Sequence, residues 1–191
     1  MESKMRITLF TMALLAAFAF AQPRPEYSNR LAMPEELRGD TIPDFYVLEN
    51  DNVSGLYLEK LREKAKEFKA KRIVLSFFAT RCVPCKEEFD LLKKNAGELK
   101  KQGVMVYLIN VGEDIHAMGE KVASMVDKHA GTAFPYYFDP DGSSMRNFGL
   151  VNNEGEAIIP STLILDSNFH ALAVLVGEMG KDFPKILWGE L

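Results

Sequence analysis

The sequence predicts an α/β fold in which a mixed central β-sheet is covered by helices on both faces. Three observations carry this. Two short apolar runs rich in strand formers, residues 73–79 and 104–109, are each followed by a stretch with helical patterning. Strand–helix–strand order implies parallel neighbours joined by right-handed crossovers. Two more strand-like runs, 162–165 and 172–176, flank Asp166-Ser167-Asn168, whose turn chemistry makes them an antiparallel hairpin.

The elements follow in chain order. Residues 22–40 hold three prolines and many charges without periodicity, and read as a linker or loosely packed arm. Ile42-Pro43-Asp44-Phe45 leads into a short strand at Tyr46-Val47-Leu48, broken by Asn50-Asp51-Asn52. Leu58, Leu61, Ala65 and Phe68 recur at helical spacing between charged residues that form a solvated face. The run 73–79 is too short for most helices and reads as a buried strand. Cys85, Phe89, Leu92, Ala96 and Leu99 then trace a helical stripe stopped by Gly103. After the second buried strand, Asp114 caps a helix running to about Ala130. The hairpin follows, and a helix over about 181–188 closes the chain. From the strand at 73–79 onward the order is β-α-β-α-β-β-α, and the chain contains no internal repeat.

Composition narrows the function classes. The chain has 191 residues, 47% hydrophobic and 26% charged, which excludes collagen-like, low-complexity and mainly disordered chains. A chain of this length buries around two thirds of its unfolded surface and needs no staple to hold a core. Its two cysteines, at 82 and 85, close only one tiny loop, so they are not a scaffold.

Lys4 and Arg6 precede an uncharged 17-residue run over 7–23, shorter than the ~20 residues of a spanning helix. Ala19-Phe20-Ala21 supplies a small-x-small cleavage pattern. Residues 1–21 therefore read as a secretory signal cleaved before Gln22, with an uncleaved N-terminal anchor as the alternative. A lipoprotein is excluded because no cysteine stands there. Removing Glu2, Lys4 and Arg6 with the signal moves the net charge from −4 to −5. With no basic stripe, this argues against a nucleic-acid partner. The expected division is signal 1–21, linker 22–40 and a single domain over 41–191.

The chemistry concentrates in Thr80-Arg81-Cys82-Val83-Pro84-Cys85, between a buried strand and an amphipathic helix. Unpaired N–H groups and the positive end of the helix dipole favour a thiolate at Cys82, and the thiolate is the reactive form. Arg81 adds positive charge beside it. Cys85, inside the first turn and more buried, suits the resolution of a mixed disulfide, and Pro84 fits a turn where a missing N–H costs little. Other uses of the pair stay open. Half a zinc site is disfavoured because zinc takes four ligands. The three histidines are poorly placed to complete one: His116 and His129 lie 13 residues apart on one helix, and His170 is at the hairpin turn. An inert structural disulfide and a Cu(I)-binding module without enzymatic activity are the remaining alternatives.

The segment Phe77-Phe78-Ala79-Thr80-Arg81-Cys82-Val83-Pro84-Cys85-Lys86-Glu87-Glu88-Phe89 resembles the active-site segment of the TlpA/ResA-like thioredoxins. These are exported or membrane-anchored thiol–disulfide oxidoreductases. Ile42-Pro43-Asp44-Phe45, Ile109-Asn110-Val111-Gly112-Glu113 and Ile159-Pro160-Ser161-Thr162 resemble, in order, the family's opening strand, second strand end and cis-proline loop. The matches run from about residue 39 to 187.

The resemblance implies a thioredoxin-like fold and a redox-active Cys82–Cys85 disulfide with no other cofactor and no metal. Pro160 becomes the cis-proline facing the cysteines, and the Ile159 backbone pairs with the substrate peptide. Arg81, Val83 and Pro84 complete the substrate-facing surface. Glu88 matches an acidic residue that tunes the pair and shuttles a proton; the alternative is an acid in the first helical turn complementing the helix dipole. The implied partners are exported protein disulfides, including the cysteines handled in cytochrome c maturation, and a membrane electron donor. The implied state is a monomer in the periplasm or on the extracytoplasmic face of the membrane. An oxidase or isomerase of the same fold uses the same residues.

Two departures mark this chain. Phe78 and Arg81 stand where the family commonly has tryptophan, and residues 151–156 lengthen the approach to Pro160. Other motifs are absent: there is no phosphate-binding glycine loop and no G-x-S-x-G elbow. Asp139-Pro140-Asp141-Gly142 begins like a calcium loop but fails at its later positions and reads as a turn. Thr80 stands two residues before Cys82, not the three of a peroxiredoxin, and the cysteine spacing is not that of copper-delivery relatives.

Overall fold

The computed structural model of the protein describes residues 30–38, 41–50 and 53–190. The signal expected over 1–21, and the linker residues outside 30–38, lie outside these. Among the described residues no helix is long and apolar enough to cross a membrane.

Eight strands form one mixed sheet: β1 (Arg30–Leu31), β2 (Tyr46–Leu48), β3 (Gly55–Tyr57), β4 (Arg72–Phe78), β5 (Val104–Val111), β6 (Tyr136–Asp139), β7 (Ser161–Asp166) and β8 (Ala171–Val176), in the order β1-β8-β7-β4-β5-β6-β2-β3. The pairs β4/β5 and β5/β6 are parallel and the others antiparallel. The helices are α1 (Leu58–Phe68), α2 (Val83–Lys101), α3 (Ile115–His129), α4 (Ser143–Asn147) and α5 (Phe183–Trp188). The mixed α/β sheet expected from the sequence is the architecture observed.

Why the central strands read as continuous apolar runs is plain from their surroundings. Ile73, Leu75 and Phe77 of β4 point to one face, into a cluster with Leu61 and Ala65 of α1 and Met145 of α4. Val74 and Phe78 point to the other, into a cluster with Phe89 and Leu92 of α2, Val122 of α3 and Phe183 of α5. A strand buried on both faces needs an apolar residue at nearly every position. Phe78 and Phe89 meet edge to face, with ring centroids 4.9 Å apart, and this contact seats α2 on β4.

Local signals place the ends. Gly103, at φ 75°, takes the left-handed conformation that ends α2. The Asp114 carboxylate accepts from the Ala117 N–H at 2.8 Å and starts α3. In the hairpin, Asp166 Oδ1 accepts from the backbone N–H groups of Asn168 and His170. Residues 139–142 form the turn expected there, with the Gly142 N–H donating to the Asp139 carbonyl at 3.1 Å.

Four elements are additional to those read from the sequence. β3 and β6 are three and four residues long, too brief for periodicity to register. α4 is a five-residue turn whose start is held by Ser144 and Ser143 donating to the buried Asp139 carboxylate. In the stretch read as linker, β1 pairs with β8 and Leu37 is buried in the core. The closing helix is shorter than 181–188, its first turn being a 3-10 segment at Gly180–Asp182.

Replacing Phe78 by Ala removes the ring that joins β4 to α2 and should cost ~3–5 kcal/mol, read as a lower denaturant midpoint with an unchanged slope.

Candidate active site

β4 ends at Phe78, and the chain must turn within residues 79–82 to begin α2. That turn is held from below. The Glu113 carboxylate, buried just beyond β5, accepts from the Thr80 N–H at 2.9 Å, the Thr80 hydroxyl at 2.7 Å and the Asn110 amide at 2.6 Å. Burial pushes the Glu113 proton affinity up, but these hydrogen bonds and the nearby Arg81 charge outweigh it and hold the carboxyl below its ordinary range. The Cys82 N–H closes the turn by donating to the Ala79 carbonyl at 3.0 Å.

Cys82 is the N-cap of α2, and its Sγ accepts from the Cys85 N–H at 3.3 Å. Pro84 lies in the first turn, where no intrahelical donor is required. The two cysteines are joined as a disulfide. Cys82 is 8% exposed and Cys85 1%, so the outer sulfur belongs to the first cysteine. Val83, 61% exposed, stands at the surface beside them.

Glu88 lies one turn beyond Cys85 on α2 and is 2% exposed. Its Oε1 has no hydrogen-bond partner among the described residues. Burial pushes its carboxyl up to about 8; a backbone hydrogen bond at Met179 opposes this and the Glu178 charge adds to it. Neither acid lies in the first turn of α2, so the dipole-complementing alternative does not hold for Glu88; Glu87 beside it is exposed, and Glu88 is buried.

The Ile159–Pro160 bond is cis. Pro160 precedes β7, whose Ser161 is paired with Phe77, so the proline turn and the cysteine turn emerge at the same end of neighbouring strands. The Pro160 carbonyl is taken by the Gly177 N–H at 2.9 Å. Ile159 and Arg81 line one cleft of about 360 Å³, whose far wall is the 151–157 segment closed by a Val151–Ala157 bridge.

The sequence-predicted residues Arg81, Cys82, Val83, Pro84 and Cys85 thus form one surface turn, with Glu88 buried behind it and Ile159-Pro160 at the same end of the sheet. The histidines are elsewhere. His129 pairs with Asp90 at 3.1 Å and His170 with Asp166 at 2.9 Å. Among the described residues no group of three or more His, Cys, Asp or Glu side chains converges to hold a metal. The sequence reading missed the work of Thr80, Asn110 and Glu113. The available signal was Asn110, an amide in the otherwise apolar β5, followed three residues later by an acid.

The AhpC/TSA family model matches residues 38–170. Curated relatives include the thiol-disulfide oxidoreductases ResA of Geobacillus thermodenitrificans, 26% identical over 92% of this chain and 88% of that protein, and of Bacillus subtilis, 26% identical over 94% and 89%. A solved thiol:disulfide interchange protein of the thioredoxin family from Chlorobium tepidum shares the fold, with a TM-score of 0.55 and 22% identity over 76% of this chain and 91% of that one.

Two predictions follow from the buried acids. Between the ordinary glutamate value of 4.5 and about 8, folded Glu88 keeps a proton that the unfolded chain has released. Its contribution to stability is complete below 4.5 and is lost as pH rises to about 8, at up to ~1.4 kcal/mol per pH unit. Glu88→Gln should flatten the pH dependence of the denaturant midpoint across that window. Glu113→Ala strands the Thr80 and Asn110 donors and should cost ~2–3 kcal/mol, measured by the same unfolding.

Proposed function

The chain belongs to the AhpC/TSA family, and on that footing we propose that it is a thiol–disulfide oxidoreductase that reduces disulfides in other exported proteins. The observation that carries this reading is the Cys82–Cys85 disulfide at the N-terminus of α2, its outer sulfur belonging to the helix cap. The relatives named thiol-disulfide oxidoreductase support the same class.

In the reduced protein, the Cys82 thiolate attacks one sulfur of a substrate disulfide. A mixed disulfide forms and one substrate thiolate leaves, taking up a proton. Cys85 then loses its proton and attacks Cys82 Sγ, releasing the second substrate thiol and leaving the intramolecular disulfide. The helix N-terminus favours the Cys82 thiolate in the first step and stabilises it as leaving group in the reverse direction. Glu88, with a proton affinity near 8, exchanges the Cys85 proton close to neutral pH. The reaction needs no cofactor beyond the cysteine pair.

Substrate contact falls to the exposed turn at Arg81, Val83 and Pro84 and to the Ile159 backbone before the cis-proline. The signal read at residues 1–21 sends the domain to an oxidising compartment. A reductant there is spent after one turnover unless two electrons return to it, which calls for a membrane electron donor. Cysteines awaiting haem attachment in cytochrome c maturation are one substrate of this kind.

Cys82→Ser should abolish reduction of insulin disulfides, whereas Cys85→Ser should accumulate the mixed disulfide on a non-reducing gel. A measured potential near thioredoxin's roughly −270 mV supports the reductive direction; one near the roughly −120 mV of DsbA turns it to oxidation.

A further inference from the structure

The cleft beside the cysteine turn is assembled from four separated parts of the chain. Arg81 contributes the wall next to Cys82, Gly112 follows β5, Asp141 and Arg146 belong to the turn and helix after β6, and the 151–157 hairpin closes the far side next to Ile159. Its volume, about 360 Å³, lies within the ~300–1,000 Å³ range of binding pockets. Two walls are bare backbone: nothing lies within 4 Å of where a Cβ would stand at Gly112 or Gly155, so a side chain can enter from solvent.

The charges around it are arranged unequally. Arg146 donates to the Asp141 backbone carbonyl and faces the Asp141 carboxylate at 3.7 Å. The Asp141 carboxylate also accepts from the Ser143 N–H. Glu156 accepts from the Asn152 side-chain amide at 3.0 Å, and the same Asn152 accepts from the Glu154 and Glu156 N–H groups, fixing the hairpin tip. Glu113, under the turn, is taken up by Thr80 and Asn110. Each acid therefore has local donors. Arg81 is exposed, and no carboxylate of the described residues comes within ion-pair distance of its guanidinium. Its charge acts on the buried Glu113 carboxylate only at a distance, and, one residue from the attacking sulfur and across a cleft from the proline turn, it is placed to meet a substrate anion.

We propose that this cleft is a substrate subsite that receives a carboxylate side chain lying within a few residues of the target cysteine, bound by Arg81. The inference rests on the disulfide-exchange reading and adds to it a substrate class, exported proteins with an acidic residue flanking the reducible cysteine. Because Arg81 is at the rim, the preference it confers is modest and sensitive to salt.

The test uses pairs of disulfide-linked peptides that differ only by Glu or Gln at each of three positions on either side of the cysteine. The wild-type protein, recycled with a small-molecule dithiol, is expected to reduce the Glu peptide about 3–5-fold faster in kcat/KM at one or more positions, with the ratio falling as salt is raised. Arg81→Gln should bring that ratio to one, and Arg81→Glu should invert it. Glu156→Gln, which removes an acid from the cleft, should enlarge it. Ratios near one at every position in the wild type, or a preference that survives Arg81→Gln, overturn the subsite. Failure to reduce either peptide of any pair overturns the exchange reading itself, a separate result.

Discussion

Three hydrogen bonds into the Glu113 carboxylate hold the chain where it leaves the sheet and enters α2, and the cysteine end of the molecule depends on them. A carboxylate removed from water is unfavourable unless its lone pairs are taken. Here they are taken by the Thr80 backbone and hydroxyl and by Asn110, so the charge that would otherwise destabilise the fold joins the end of β5 to the turn after β4. With that turn fixed, Cys82 can end up only as the helix cap, and Arg81 only at the lip of the adjoining cleft. The Phe78–Phe89 contact fixes the other side of the same junction. Polar clamp and aromatic seat together set where the outer sulfur meets solvent.

The two buried glutamates show how neighbours decide proton affinity. Glu113 is surrounded by donors and lies near a cation, and stays ionised. Glu88 is buried, has an oxygen with no partner among the described residues and the Glu178 charge nearby, and keeps its proton to about 8. One acid serves as a fixed anchor, while the other can take and release a proton in the range where thiols do the same. Their division of labour comes from their partners, since the side chains are chemically identical.

Most of this was legible in the sequence, for reasons tied to particular residues. The runs around Leu75 and Leu108 announce strands buried on both faces, and the stripe from Cys85 to Leu99 announces the helix that carries the cysteines. The spacing of Cys82 and Cys85, with Pro84 between them, locates the helix start. Glu88 was legible only as one of two adjacent acids; its burial, which separates it from Glu87, depends on α5 and the segment before it packing from the far end of the chain. β3 and β6 escaped because their pairing partners, not their own patterns, make them strands. Glu113 escaped because its donors come from two other segments, and such convergence leaves no local periodicity. That Arg81 has no carboxylate within ion-pair distance is likewise visible only once the 151–157 hairpin has folded its own acid onto Asn152.

The short pairing of Arg30–Leu31 with β8 has a further meaning for the integrity of the sheet. β8 reads Ala-Leu-Ala-Val-Leu-Val, an uncharged segment rich in strand formers. Without β1 its outer row of backbone donors and acceptors would be a template open to another chain. On the opposite side the sheet ends in β3, only three residues long and running directly into α1, which offers little to pair with. A chain trimmed to begin after Leu31 keeps every residue of the cysteine site, yet it uncovers the Val174–Leu175 stretch of the β8 margin. The residues just before the domain therefore act as a selvedge, and they belong in any version of the protein meant to stay monodisperse.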